Sequence, residues 1–250
     1  MSRTGRLAKW LAPLFACLTP IWLAQSQERP KRFSIWDIHI GEPVSDIPDQ
    51  YVNYACGTNG GPPSLPIANF SEFKKCKPEA DGLHEVYFEY DDELEYWARA
   101  LELRAEIRMY AGTTVFEFPI VASVLVDDTD HVRGERMVTD PRQKVSRDRT
   151  EFWMLGTFLR QRFGEANWSC QDLPPEEGEG PAGTIFIKNH CEKTVGNVRL
   201  ILETRYFQKK GQNFVDPSTG KPQPEAYESA TRFEMYDAGY PLRESGLSSR

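Results

Sequence analysis

The chain has 250 residues, of which 40% are hydrophobic and 27% are charged, and it carries a formal net charge of −7 at pH 7. This composition is typical of a folded globular protein with a sizeable core and excludes a disordered chain. Nucleic acids and anionic lipid surfaces bind proteins through positively charged footprints, so the acidic balance argues against both as partners.

The N-terminus has the three-part organisation of a secretory signal peptide. A basic lead, "MSRTGRLAK", precedes an apolar run, "WLAPLFACLTPIWLA", and a small-residue site at Ala24 and Ser26. The run is shorter than the roughly 20 apolar residues that a membrane-spanning helix needs, and Pro13 and Pro20 interrupt it. We therefore predict that residues 1–26 are a signal peptide cleaved after Ser26.

Cleavage would leave an exported bacterial protein, periplasmic or extracellular, with no integral membrane span. Its net charge would be −10, because the loss of three basic residues leaves 27 basic against 37 acidic residues. The tetrapeptide "LFAC" is similar to the lipobox of bacterial lipoproteins, and lipid attachment at Cys17 is the alternative. Residues 27–250 are long enough for one large domain or for two lobes, 27–145 and 146–250.

The exported part is predicted to begin with two strands. Residues 32–40 form the first strand candidate, which ends before a glycine and a proline. Residues 82–90 form the second, in which Val86, Phe88 and Tyr90 alternate onto one face. A period of two is typical of a half-buried strand.

The pattern of residues 91–112 predicts the first main helix, because its apolar residues recur on one helical face. Asp91 or Asp92 would cap the start of the helix, and Gly112 would end it in a left-handed conformation. The predicted buried stripe consists of Leu94, Trp97, Ala98, Leu101 and Ala105.

A hairpin and a second helix follow. Residues 113–126 and 131–139 are two strand candidates around the polar turn "DDTD". The second main helix covers residues 147–164 and ends at Gly164. Its predicted buried stripe consists of Phe152, Leu155, Leu159 and Phe163.

Three further strands close the chain, at residues 184–189, 197–207 and 228–236. Helical segments interspersed with hairpins predict helices packed on antiparallel strands. The expected fold class is therefore α+β, with two main helices on antiparallel sheet and with disulfides that stabilise it.

Four cysteines remain after signal cleavage. An even set in an oxidising compartment predicts disulfides. Three pairings are formally possible, and we favour Cys56–Cys76 and Cys170–Cys191, because each closes a loop of about 20 residues that is rich in glycine and proline. Zinc is the competing explanation, but the chain has no Cys-x-x-Cys and its four histidines are scattered, so no metal site is expected.

The segment "CGTNGGPPSLP", residues 56–66, raises the question of whether it is a phosphate-binding loop. Such a loop leads into a helix N-terminus, whereas this one leads into an extended proline-rich stretch. Asn59-Gly60 is a turn signal, because both residues tolerate positive φ. We predict a surface loop that is ordered by the disulfide and suited to protein contact, since its ordering cost is met before binding.

The candidate functional surface follows from this loop and from the second cysteine pair. It consists of Asn59, Pro62 and Leu65 in the loop, and of Trp168 beside Cys170. Aromatic residues near ordered loops are frequent anchors of protein interfaces. The expected function is binding to an envelope or periplasmic protein or to another envelope component, and no cofactor is implied.

Two alternatives remain open. One is a hydrolase whose acid pair comes from Asp91, Asp92 and Glu95, although the same acids also suit the first turn of a helix. The other is a carrier for a small ligand in an open sheet cavity. No catalytic residue is assigned, and a binding protein is favoured over an enzyme.

One family resemblance rests on short motifs. The segment "IHIGEPVSDIP", residues 38–48, resembles the Ile-x-x-Gly-x-x-x-x-x-Ile opening of small envelope proteins in the BamE and β-lactamase-inhibitor-like group, and "FGEANW", residues 163–168, is similar in style. The resemblance covers about a fifth of the chain. The predicted helix from Asp92 and the hairpin after it depart from that pattern, so no function or binding residue is carried over.

Overall fold

The structure is a computed structural model that describes residues 32–90, 97–98, 100–104, 113–140, 151–209 and 227–241. The chain divides into two compact units, Met1–Lys31 and Arg32–Arg250, and every described residue belongs to the second.

An antiparallel β-sheet dominates the described residues. Its strands are β1 (Val52–Cys56), β2 (His84–Glu89), β3 (Thr114–Val115), β4 (Phe118–Val126), β5 (Val132–Thr139), β6 (Ser169–Asp172), β7 (Ile187–Val195), β8 (Val198–Gln208) and β9 (Tyr227–Asp237). The spatial order is β1-β2-β4-β5-β9-β8-β7-β6, and the short β3 pairs with β4. The sheet thus runs through both halves of the chain, with β1 at one edge and β6 at the other.

The expected α+β class with two main helices is wrong. Within the described residues, the structure has one α-helix, α1 (Leu155–Arg162), and short 3₁₀ turns at Ile35–Asp37, Val44–Asp46, Phe70–Lys75 and Phe152–Met154. The fold is a mostly antiparallel β-sheet stabilised by two disulfides.

Most of the first predicted main helix, residues 91–112, lies outside the described residues, namely 91–96, 99 and 105–112. Of its described residues, Trp97, Ala98, Ala100 and Arg104 are helical. Glu102 then adopts a left-handed φ of 55°, which does not continue a right-handed helix. Leu101, predicted to be buried, is 62% exposed.

The second predicted helix is shorter than expected but has the expected buried stripe in its described part. The chain enters through the 3₁₀ turn Phe152–Met154 and continues as α1, in which Leu155 and Leu159 are buried. Gly164, with a φ of 82°, follows the helix, as its predicted stop requires. Residues 147–150 lie outside the described part of the chain.

The predicted strand at residues 32–40 is also wrong, because a 3₁₀ turn forms at Ile35–Asp37. The Asp37 carboxylate accepts a hydrogen bond from the Ser34 backbone N–H at 3.0 Å. This local capping interaction competes with an extended backbone. The hairpin β4–β5 and the closing strands β8 and β9 are confirmed, whereas the strand predicted at residues 184–189 begins only at Ile187 and extends to Val195 as β7.

The two faces of the sheet have different chemistry. One face carries the main core, in which α1 and the 3₁₀ turns pack on apolar residues of the central strands, including Phe88, Val124, Leu202 and Phe233. The other face carries charged residues at the same alternation, including Glu85 in β2, Arg136 in β5 and Glu234 in β9. All three of these charged side chains are buried.

Candidate functional site

The loop between Cys56 and Cys76 is closed at its base by a disulfide, the pairing that loop length favoured. Its first part, residues 57–61, is called the strap here. The Gly61 N–H donates to the Thr58 carbonyl at 3.2 Å, and the residues between them, Asn59 and Gly60, have φ angles of 60° and 77°. This is a two-residue turn with both central residues left-handed, the geometry for which Asn-Gly is preferred.

The strap is not a phosphate-binding loop. Its amides bind an anion, but that anion is a carboxylate of the chain itself. The Gly60 N–H donates to Glu85 Oε1 at 3.0 Å, and the Asn59 N–H donates to Glu85 Oε2. Successive backbone amides that converge in this way form an anion-binding nest. The nest is therefore a structural device that holds the strap on the sheet.

Arg136 lies beneath the strap and is only 2% exposed. Its guanidinium donates two hydrogen bonds to the Glu79 carboxylate, at 2.9 and 3.0 Å, and it lies 3.0 Å from Glu85 and 2.5 Å from Glu234. A buried guanidinium needs such complete pairing, because an isolated buried charge is strongly destabilising.

Two opposing effects set the pKa values of the carboxyls in this cluster: burial raises them, and pairing with Arg136 lowers them. Burial opposes ionisation of Glu85 and Glu234, but Arg136 outweighs burial and lowers the pKa of both carboxyls. Burial dominates at Glu79, whose pKa is raised although Arg136 pulls it down. The neighbouring Glu79 and Glu85 carboxyls thus differ in protonation tendency, as expected for two acids that share one cation.

Asn59 was predicted to contact a partner, but the structure ties it to the sheet. Arg232 of β9 donates to the Asn59 backbone carbonyl at 2.9 Å and to its side-chain Oδ1 at 2.5 Å. A Cβ atom added at Gly60 would lie 2.3 Å from the Val138 side chain, so the strap approaches β5 closely. The tip of the loop therefore packs against the charged face of the sheet.

The next part of the loop, residues 62–67, lies along β1 and is called the cover segment. The Cys56 N–H donates to the Leu65 carbonyl at 2.8 Å, and the Ile67 N–H donates to the Tyr54 carbonyl at 3.0 Å. Pro62 is exposed and Leu65 is 52% exposed, so both are accessible. Prolines lack the amide proton that a further strand would need. The cover segment thus closes the β1 edge of the sheet, one way in which proteins prevent edge-to-edge pairing.

The opposite edge, β6, has no comparable cover within the described residues. All four residues of the strand, Ser169–Asp172, are exposed. The strand pairs with β7 on its inner side and ends the sheet on its outer side. A cross-strand disulfide, Cys170–Cys191, joins it to β7 with a Cα–Cα distance of 4.0 Å.

The register shows which backbone groups of β6 point outward. The Leu173 N–H donates to the Lys188 carbonyl of β7 at 2.7 Å. Hydrogen-bonded and non-hydrogen-bonded pairs alternate along an antiparallel ladder, so Gln171 faces β7 with its N–H and C=O groups. The N–H and C=O groups of Cys170 and Asp172 therefore point away from the sheet.

Polar contacts at one end hold this exposed strand in place. The Lys193 ammonium donates to the backbone carbonyls of Phe163, Gly164 and Ala166 at 2.6, 2.7 and 2.8 Å, just after α1. Lys193 Nζ also lies 5.6 Å from the centre of the Trp168 ring, within the range of a cation–π contact. The Trp168 Nε1–H donates to the Gly164 carbonyl at 2.9 Å. These contacts fix the chain immediately before β6.

The four residues of the predicted interaction surface thus lie on different parts of the sheet. Asn59, Pro62 and Leu65 belong to the loop at the β1 side, whereas Trp168 precedes β6 at the other edge. The alternative acid cluster, Asp91, Asp92 and Glu95, lies outside the described residues. In the part of the chain that the structure describes, no three His, Cys, Asp or Glu residues form a group that could hold a metal ion.

The buried cluster of Arg136, Glu79, Glu85 and Glu234 was not predicted from the sequence. Glu85 and Arg136 occupy the polar positions of alternating strands, which are typical of a solvent-facing side. The strap binds Glu85 and the segment that carries Glu79 binds Arg136 over that face, and both side chains are buried. Their one signal in the sequence is that opposite charges recur on strands that pair in space.

No protein-family model matches the chain, and neither does any curated protein or solved structure. The two disulfides indicate an oxidising compartment outside the cytoplasm. None of the helices in the described ranges is long and apolar enough to cross a membrane.

Proposed function

We propose that this is an exported bacterial protein of the periplasm or envelope that binds a partner protein by accepting one of the partner's extended segments at the β6 edge. The observation that supports the proposal is that one edge of the sheet is covered and the other is open in the described structure. The cover segment occupies the β1 edge, while β6 presents the backbone groups of Cys170 and Asp172 without a partner strand in the described structure.

Burial does not hold β6 in place, because every residue of the strand is exposed. The Cys170–Cys191 disulfide and the contacts of Lys193 and Trp168 hold it instead. A strand that is ordered in advance loses little further conformational entropy on binding, which favours affinity.

Main-chain hydrogen bonding to a sheet edge is an established mode of peptide recognition. The outward groups of Cys170 and Asp172 provide two donors and two acceptors at the spacing of an antiparallel ladder. An extended peptide can satisfy all four groups, whereas a helix presents no free backbone groups in its middle. The partner segment is therefore a strand.

The test uses linear peptides selected from a displayed random library on the immobilised, oxidised protein. Fluorescence anisotropy then measures their affinity for Asp172→Pro and for the matched variant Asp172→Ala. We expect Asp172→Pro to bind about tenfold more weakly than Asp172→Ala, because proline removes an outward N–H and places a ring in the path of the partner. Thermal unfolding confirms that both variants are folded.

A second measurement leaves the protein unchanged. Two versions of a selected peptide are N-methylated, one at its odd-numbered amides and one at its even-numbered amides, which gives the two methylation phases. One phase should abolish binding and the other should leave it intact, since only every second residue of a strand faces the edge. Equal binding to Asp172→Pro and Asp172→Ala, or equal effects of both methylation phases, would contradict the proposal. Failure to select any peptide would also contradict it.

A further inference from the structure

We infer that the partner strand runs antiparallel to β6 and carries, from its N-terminus, a basic residue, a small residue and an apolar residue at alternate positions. This inference rests on the proposed function, because it describes the side chains of a strand that the edge must first accept. It follows from the register of β6 and from the chemistry of three side chains on one face: Trp168, Cys170 and Asp172.

These three positions share a face because side chains alternate along an extended chain. Ser169 pairs with Glu192 and Cys170 pairs with Cys191. The same register places Trp168 opposite Lys193, and the observed distance of 5.6 Å between Lys193 Nζ and the Trp168 ring agrees with that placement. The extended line of the edge thus begins at Trp168.

A partner strand that bonds to Cys170 and Asp172 brings its own side chains directly opposite these three positions. Directly opposite residues in an antiparallel pair lie on the same face, with Cβ atoms about 5 Å apart. Because the strands run in opposite directions, the residue facing Asp172 comes first, the residue facing Cys170 comes two positions later, and the residue facing Trp168 comes last.

The basic preference comes from Asp172. This carboxylate is exposed, and no ion pair to it is present among the residues that the structure describes. The two nearby lysines are already engaged: Lys188 lies 2.8 Å from Glu176 and 2.9 Å from Glu179, and Lys193 is bound to three carbonyls. The edge therefore offers an uncompensated negative charge at one end.

The small and apolar preferences come from the other two positions. The disulfide fixes the Cys170 side chain against β7, so it cannot rearrange around a large neighbour, which favours a small residue opposite it. Trp168 is partly buried, and its ring packs against the main core while part of it stays accessible. An apolar side chain in the next position would cover the accessible part of the ring.

The same geometry disfavours a second copy of this chain as the occupant. Antiparallel self-pairing centred on Cys170 would place Asp172 of each chain opposite Trp168 of the other. That arrangement offers no base to either carboxylate, and it would bring together two chains of formal net charge −7.

The test uses two labelled synthetic peptides of alternating threonine, one with lysine, alanine and leucine at the three positions and one with glutamate in place of the lysine. Fluorescence anisotropy at low salt is expected to show binding of the lysine peptide about tenfold tighter than binding of the glutamate peptide. In Asp172→Lys the preference should reverse. In Trp168→Phe, replacing leucine by alanine in the peptide should cost less affinity than in the wild type.

The outcomes separate this inference from the proposed function. If both peptides bind equally to the wild type, with the alternate sensitivity to N-methylation intact, the side-chain inference is wrong and strand binding stands. If neither peptide binds while library-selected strands do, the side-chain inference again fails. Sedimentation that shows the protein to be a dimer through β6 would overturn it in favour of self-pairing.

Discussion

Glu85 shows how a single side chain determines the conformation of a loop. Its carboxylate accepts both strap amides, from Asn59 and Gly60, and pairs with Arg136. Without it, the Gly60 amide would lose its acceptor and Arg136 would keep only the carboxylates of Glu79 and Glu234. The positive φ angles at the turn of the strap are therefore supported by an ion pair as well as by the Asn-Gly sequence.

We predict that Glu85→Ala destabilises the protein by about 3 kcal/mol, because it removes one of the three carboxylates around the buried Arg136 and leaves two strap amides without their acceptor. Small carboxylates should enter the vacated nest, so formate should restore part of the loss. Urea unfolding of the wild type and the variant, with and without formate, measures both effects. Formate that acts equally on the two proteins would contradict this role, as would an unchanged free energy of unfolding.

Glu135 is a different kind of buried acid. It is 2% exposed, and its Oε2 has no hydrogen-bond partner among the residues that the structure describes. Burial raises its pKa well above the usual value, with a smaller contribution from Glu42. The folded protein therefore binds a proton at Glu135 that the unfolded chain releases. This carboxyl contributes stability at low pH that is lost as pH rises.

The pH dependence has a definite sign. Between the unfolded pKa of about 4.3 and the raised folded pKa, Glu135 should lower the free energy of unfolding by about 1.4 kcal/mol per pH unit. Glu135→Gln keeps the shape and cannot ionise, so its stability should fall less steeply over this range. Chemical unfolding at several pH values measures the difference. Parallel curves for the two proteins would show that Glu135 does not contribute.

Among the structural elements, the two disulfides close loops of similar length but stabilise different edges of the sheet. Cys56–Cys76 closes a separation of 20 residues, and Cys170–Cys191 closes one of 21. In the chain-entropy model each contributes about 3 kcal/mol. The first holds the loop that covers β1, and the second holds the open edge strand β6.

This difference predicts distinct consequences for two matched double variants. Cys56→Ser/Cys76→Ser should lose about 3 kcal/mol and also associate at high concentration, because a loosened cover segment exposes the β1 edge. Cys170→Ser/Cys191→Ser should lose a similar amount of stability and bind strand peptides more weakly, without the added association. Chemical unfolding, sedimentation and anisotropy distinguish them. Identical behaviour of the two variants would refute the division of tasks.

Across the whole molecule, the sequence predicts the elements correctly where apolar residues keep one period over many positions. The β4–β5 hairpin and the strands β8 and β9 are long and alternate clearly, and the buried positions Leu155 and Leu159 follow the helical period. The predictions failed where a local interaction overrides the period. At Ser34 a side-chain cap replaces the strand, and at Glu102 a left-handed residue interrupts the helix.

The candidate site could be predicted only in part for the same reason. Trp168 was selected because it is an aromatic residue beside a cysteine, and it does lie next to the open edge. The outward direction of the Cys170 and Asp172 backbone groups depends on the register with β7, which no local pattern encodes. The attachment of Asn59 to the sheet depends on Arg232, which lies 173 residues away in the chain.

Amide hydrogen exchange of the oxidised protein tests most directly whether the β6 edge is open while the β1 edge is covered. Within β6 and the residue after it, we predict slow exchange at Gln171 and Leu173, whose amides face β7, and fast exchange at Cys170 and Asp172. Addition of a strand peptide should then protect Cys170 and Asp172. Protection of these two amides in the free protein would contradict the claim that the edge is open.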